Sequence, residues 1–226
     1  MRSIISNKGL KGLAAALVAT VALAGTAVYT LGGFTASVVN PTNTFASGTL
    51  QLKVGVGATT CYSTGTGTGG SVTAANSNTT CAGDTLGGTL LGVPGGTAAT
   101  TNVTLQNVGN IAASTATLTL GSCTFGAAAN DNGYIGASLD FCADVLVTVN
   151  NNTTSKCLFP ASSSPCVAPT SANTLASLAT AGTVSLSAMA AAASDVYGIT
   201  VQLDPAATND DQGLAATLPM TWSLAQ

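Results

Sequence analysis

The chain has 226 residues, of which 46% are hydrophobic and only 6% charged, against roughly 25% charged in ordinary soluble domains. Three of its five basic residues, Arg2, Lys8 and Lys11, crowd the first eleven positions, so the remainder carries Lys53 and Lys156 against eight aspartates, with no glutamate and no histidine. That balance excludes a basic nucleic-acid-binding surface, and the lack of histidine excludes the usual zinc-hydrolase and catalytic-triad chemistries.

Residues 1–33 read as a targeting segment, a basic start followed by the uncharged run from Leu13 to Tyr29. The run is nearly long enough to span a bilayer, which leaves an uncleaved anchor open. From Phe34 the pattern changes. Phe34, Ala36 and Val38 alternate with Thr35, Ser37 and Val39 as in a half-buried strand. Asn40-Pro41-Thr42-Asn43 ends it, because proline fixes φ and has no N–H to donate. A second strand follows, with Leu50, Leu52, Val54 and Val56 on one face. Gly57 to Gly92 reads as a loop centred on Thr64-Gly65-Thr66-Gly67-Thr68-Gly69-Gly70 and flanked by Cys61 and Cys81. It lacks the lysine and the strand–loop–helix setting of a phosphate-binding loop.

Strand signals then recur. Val103 and Leu105 run into the turn Asn107-Val108-Gly109-Asn110, and Ala116, Leu118 and Leu120 return, the pattern of a hairpin. Val145, Val147 and Val149 alternate ahead of an asparagine cluster at 150–152, and Tyr197, Ile199, Val201 and Leu203 alternate again. The last strand places Leu214, Ala216, Leu218, Met220, Trp222 and Leu224 on one face, with Pro219 arguing for an edge or a bulge. Thr174 to Ser194, rich in alanine and leucine, has room for a short helix. Many short strands separated by Gly/Asn turns predict an all-β, antiparallel sandwich with one or two short helices.

Three stretches carry a family likeness. Thr44-Phe45-Ala46-Ser47-Gly48-Thr49-Leu50-Gln51-Leu52 follows the leader. Leu91-Gly92-Val93-Pro94-Gly95-Gly96 precedes Val103-Thr104-Leu105-Gln106-Asn107-Val108-Gly109-Asn110, and Gln212-Gly213 opens the last strand, which closes on Gln226. On these residues the chain resembles the TasA and camelysin-type family of secreted filament proteins, over both ends and one internal hairpin. Cys61 to Cys81 and most of Cys123 to Pro169 have no counterpart in that likeness.

The resemblance implies a signal peptide over 1–33, cut before Phe34 by a dedicated signal peptidase, with Ala27 as a second candidate position. It also implies an N-terminal donor strand and linker over 34–43 and a jelly-roll sandwich over 44–226. Phe34, Thr35, Ala36, Ser37, Val38 and Val39 would then complete the sheet of a neighbouring copy, giving a head-to-tail homopolymer outside the cell, of the biofilm-matrix or bundling-pilus type. With so few charges, neighbouring filaments have little to hold them apart. Two other readings stay open. Lys8-Gly9-Leu10 or Lys11-Gly12-Leu13 would be a pilin-type cleavage site if the apolar run were kept as a filament helix. A monomeric secreted adhesin or sugar-binding sandwich would fold Phe34–Val39 into its own sheet.

Camelysin-type proteins have been classed as peptidases, but this chain has no H-E-x-x-H, and Lys53 and Lys156 are the only candidate bases after the leader. Neither an enzyme nor a cofactor is expected. Cys61, Cys81, Cys123, Cys142, Cys157 and Cys166 imply three disulfides in a secreted chain; pairing between sequence neighbours is the simplest of fifteen connectivities. No Cys-x-x-Cys is present. Asp210-Asp211 is an acidic pair of the kind calcium attracts, yet Asn130-Asp131-Asn132-Gly133 lacks the spacing and terminal glutamate of an EF-hand, so no metal site is expected. Asn78, Asn102, Asn151 and Asn152 open Asn-x-Ser/Thr sequons suited to glycosylation of an exposed coat.

Overall fold

The computed structural model describes residues 47–65, 81–87, 92–129, 133–162 and 164–226; the expected leader, the donor segment Phe34–Val39 with its linker, and Asn78 lie outside them. In chain order the elements are β1 (Leu52–Val56), β2 (Thr59–Tyr62), β3 (Ala99–Asn107), β4 (Thr115–Leu120), β5 (Thr124–Ala127) and α1 (Phe141–Asp144). There follow β6 (Val145–Asn151), β7 (Lys156–Phe159), α2 (Leu175–Ala181), β8 (Thr183–Leu186), β9 (Ser194–Leu203), a 3-10 turn at Asn209–Asp211, β10 (Leu214–Thr217) and β11 (Met220–Ala225). The fold is mostly β, and every strand pairing is antiparallel.

A large sheet runs β2-β1-β3-β9-β6-β7, a small one β11-β4-β8, and β10 pairs with β5 alone. The period-2 pattern explains the large sheet directly. Register places Val56, Val103, Tyr197 and Asn151 in one row, and Ile199 beside Val149 in the next. Val103, Val149, Tyr197 and Ile199 are all fully buried. Across from them the small sheet contributes Ala116, Leu118 and Leu120 from β4 and Val184 from β8. Leu118 and Val184 join Val103, Val149, Tyr197 and Ile199 in one core, so the inner faces of the two sheets meet. α2 supplies Leu175 and Leu178 to the same core. Its start is fixed by a reciprocal cap, in which Ser177 N–H donates to Thr174 Oγ1 at 3.1 Å and Thr174 N–H to Ser177 Oγ at 2.8 Å.

The expected hairpin at Asn107–Asn110 does not form. β3 lies between β1 and β9 in the large sheet, and β4 lies between β11 and β8 in the small one. The turn is therefore an arch between sheets, and the buried Asn107 side chain organises it. Its carboxamide donates to Ile111 O (2.8 Å) and Ala190 O (3.2 Å) and accepts from Gly109 N–H (3.1 Å). The arch docks on the segment before β1, with Val108 N–H bonded to Gln51 O at 2.9 Å and Asn110 N–H to Thr49 O at 3.0 Å. A Cβ on Gly109 would run into that same Thr49 carbonyl, so the docking needs glycine there.

Two other expectations are corrected. The stretch Gly57–Gly92 is not all loop, since β2 turns back on β1 within it. The asparagine cluster supplies Asn150 and Asn151 to the end of β6. The expected short helix within Thr174–Ser194 is α2, and β8 follows it there. The last strand is two: β10 pairs with β5 and β11 with β4, and Pro219 stands between them, where the missing N–H breaks the ladder.

Candidate functional site

The small sheet has an open flank. β11 pairs residue for residue with β4, from Met220 opposite Leu120 to Ala225 opposite Thr115, and among the described residues no strand lies on its other side. Along such a flank every second residue points its N–H and C=O away from the ladder, ready to pair with another strand. The side chains beside it are also incompletely covered. Met220, Trp222 and Leu224 pack on the core but are only partly buried, as are Leu50 and Val54 on the facing side. The Trp222 and Tyr197 rings lie 5.6 Å apart at 39°, one from each sheet. Thr85 Oγ1 lies 3.3 Å from Met220 Sδ, against the first residue of β11.

The three disulfides join sequence neighbours: Cys61 to Cys81, Cys123 to Cys142 and Cys157 to Cys166, with Cα separations of 5.6, 6.3 and 4.6 Å. The first ties β2 to the segment 81–87, the second ties the start of β5 to α1, and the third ties β7 to the chain that runs over the outer face of the large sheet.

The sequons separate by environment. Asn102 and Asn152 are exposed, whereas Asn151 is fully buried, contrary to an exposed coat at that position. Asn151 Nδ2 donates to Asp195 Oδ2 (3.4 Å), and its Oδ1 accepts from Thr154 N–H (3.0 Å). The phenol of Tyr197 donates to the same Asp195 oxygen at 3.2 Å, and burial with that carboxylate holds the phenol well above its ordinary pKa. On the outer face Asn150 Nδ2 donates to Asn152 Oδ1 (2.7 Å) and Asn152 Nδ2 to Asn102 Oδ1 (3.1 Å). These carboxamides cross Gly198, where an added Cβ would lie 3.0 Å from Asn152 Nδ2. Thr100, Thr148, Asn150 and Thr200 on one side and Val167, Ala168 and Pro169 on the other line a groove of about 300 Å³ beside them, of mixed polar and apolar character.

Of the two lysines weighed as bases, Lys53 reaches Gln106 Oε1 at 3.4 Å and Lys156 is exposed at the start of β7. No helix among the described residues is long and apolar enough to cross a membrane. No protein-family model matches the chain, and no curated protein matches it either.

Proposed function

We propose that this chain is the repeating subunit of an extracellular filament, in which the N-terminal strand Phe34–Val39 of one copy adds to the β11 edge of the next. The observation that carries the reading is that edge: a six-residue strand, unpaired on one side among the described residues, with Trp222 and Leu224 left partly uncovered. Phe34–Val39 is also six residues long and presents Phe34, Ala36 and Val38 on one face. Adding it would make the small sheet four-stranded, the strand count of a jelly-roll sheet, which supports reading the assembled subunit as a jelly roll. Burying Phe34 and Val38 contributes about 1.5–3 kcal/mol each, and each ladder hydrogen bond about 1 kcal/mol net. The contact is head to tail and does not close, so it propagates. Three disulfides suit an oxidising compartment, and a surface with few charges suits lateral bundling.

The test is deletion of 34–39, followed by addition of a peptide of that sequence. The reading expects filaments to vanish from electron micrographs, the truncated subunit to stay folded as a monomer, and the peptide to raise its melting temperature. A monomeric adhesin that folds the strand into its own sheet would be monomeric before the deletion as well as after it. That result would remove the filament reading.

A further inference from the structure

The outer face of the large sheet carries two adjacent rows of polar residues. Register sets Thr100 of β3, Thr200 of β9 and Thr148 of β6 side by side in one row, and Asn102, Gly198 and Asn150 in the next. Val103, Val147, Val149, Tyr197 and Ile199 point into the core, so alternation turns these residues outward. Gly198 leaves a gap in the second row, and Asn152 bridges it, with its carboxamide bonded to those of Asn150 and Asn102. Asn150 Oδ1 accepts in turn from Cys166 N–H at 3.4 Å, which holds residues 166–169 beside the rows. Between the rows and that segment lies the groove of about 300 Å³.

Hydrogen-bonding capacity inside the groove is incompletely used, and Thr148 is the informative member. Thr100 and Thr200 share a hydrogen bond of 2.8 Å between their hydroxyls. Thr148 is only 3% exposed and lines the groove, yet its hydroxyl bonds to none of the described residues. A polar group so withdrawn from bulk water takes its partner from whatever occupies the groove. Asn102 Oδ1 accepts from Asn152, while Asn102 Nδ2 donates to none of the described residues. Both rows therefore offer donors and acceptors, and no residue lining the groove is charged. The facing wall is apolar, with Val167 74% exposed above the buried Pro169.

We infer that this groove is a binding site for a neutral glycan, which sets the hydroxyls of one sugar ring on the Thr and Asn rows and a C–H face of that ring against Val167 and Pro169. Side-chain hydroxyls and carboxamides both donate and accept, as sugar hydroxyls do, so the rows match such a ligand in either sense of each bond. A volume of about 300 Å³ lies at the small end of ligand sites, which suits one ring of a chain. A uronate or sulfate group would lose its hydration there with no cation to meet it. A peptide adding as a strand needs an open sheet edge, whereas β3, β9 and β6 each have a neighbour on both sides. The inference rests on no part of the filament reading, which concerns the edge of the other sheet.

The experiment is calorimetric titration of the full chain, made in a host that does not N-glycosylate so that Asn102 and Asn152 are bare. The probes are cellohexaose, maltohexaose and chitohexaose, with hexagalacturonate as the charged counterpart. Saturable binding of at least one neutral hexasaccharide, and none of hexagalacturonate, is expected. Thr148→Val keeps the shape of the side chain and removes the hydroxyl. It is expected to weaken binding about 10-fold without lowering the melting temperature, because no bond within the fold is lost. Gly198→Ala sets a methyl group on the groove floor, 3.0 Å from Asn152 Nδ2, and is expected to weaken binding at least as much. Thr119→Val, at an exposed position on the small sheet, leaves binding unchanged. If Thr148→Val fails to fold, Gly198→Ala carries the comparison. Absence of saturable binding of all three neutral sugars, equal binding of hexagalacturonate, undiminished binding by Thr148→Val, or equal loss in Thr119→Val would each overturn the site.

Discussion

Tyr197 of the large sheet and Trp222 of the small sheet meet ring against ring across the core, with centroids 5.6 Å apart and planes inclined at 39°. Tyr197 is fully buried and hydrogen-bonded to Asp195; Trp222 is partly open, on the strand whose outer flank has no partner among the described residues. One ring belongs to the fixed core, and the other to the edge where an added strand would lie.

Trp222→Ala is expected to cost about 2–3 kcal/mol, below the ~3–5 kcal/mol of a fully buried tryptophan. The melting temperature should fall by about 4–12 °C, read by far-UV circular dichroism. Tyr197→Phe keeps the ring contact and loses only the phenol bond, so its cost should be smaller, about 1–2 kcal/mol. An equal loss in both variants would show that the stacking contributes little.

Asn107→Ala should rank among the most damaging single changes. It removes the donor to the Ile111 carbonyl and the acceptor for Gly109 N–H, at about 1–3 kcal/mol for each buried group left unpaired, while the Ala190 carbonyl keeps its bond from Ala193 N–H. Asn107→Asp should be no milder, because a carboxylate cannot donate to the two carbonyls. Urea denaturation measures both, and a midpoint close to wild type would mean that the arch closes without this side chain.

Adjacent asparagines should behave oppositely. Asn151→Ala removes a buried side chain bonded to Asp195 and Thr154 and is expected to cost about 2–3 kcal/mol. Asn152→Ala acts on an exposed residue and should cost no more than about 1 kcal/mol. In material from an N-glycosylating host, peptide mapping should find Asn151 bare even where Asn102 or Asn152 carries a glycan.

The raised pKa of Asp144 sets a pH slope. Its folded value of about 6 lies above the ordinary ~3.9 of the unfolded chain, so the folded state binds more protons between these values. Stability from this group is therefore full below pH about 4 and is lost as pH rises through about 6. Asp144→Asn should flatten that slope and melt higher than wild type near neutral pH. Melting curves from pH about 4 to 8 check the sign, and a variant that melts lower across the whole range would contradict it.

Alternation made the core legible. Val103, Leu105, Val147, Val149, Tyr197 and Ile199 are all legible as inward-facing from the alternation alone, because the period-2 signal is strong where one face is buried. The arch was not, since Asn-x-Gly is a local turn signal and the same backbone serves a hairpin or a crossing between sheets. β2 is not legible because Thr59, Thr60, Cys61 and Tyr62 give no apolar alternation, and β8 because Val184 and Leu186 alternate over only four residues directly after an Ala/Leu-rich helix; pairing with β1 and β4 makes them strands. Pro219 signals an interruption, but one residue cannot tell an edge from a break between two sheets. A sequon says nothing of burial, so Asn151 looked like Asn152. The segment with Asp140 and Asp144 and the one with Asp204 and Asp211 lie about 60 residues apart, and only the fold brings them together.

The central ladder of the large sheet joins β3 to β9, Gln106 opposite Ser194 and Ala99 opposite Val201. A chain made from its N-terminus thus holds β3 without this neighbour until the last quarter of the sequence has been delivered. The three cystine loops, by contrast, each close within 20 residues. The covalent fasteners can be set early and locally, while closing the long-range ladder is the slow, late event of maturation.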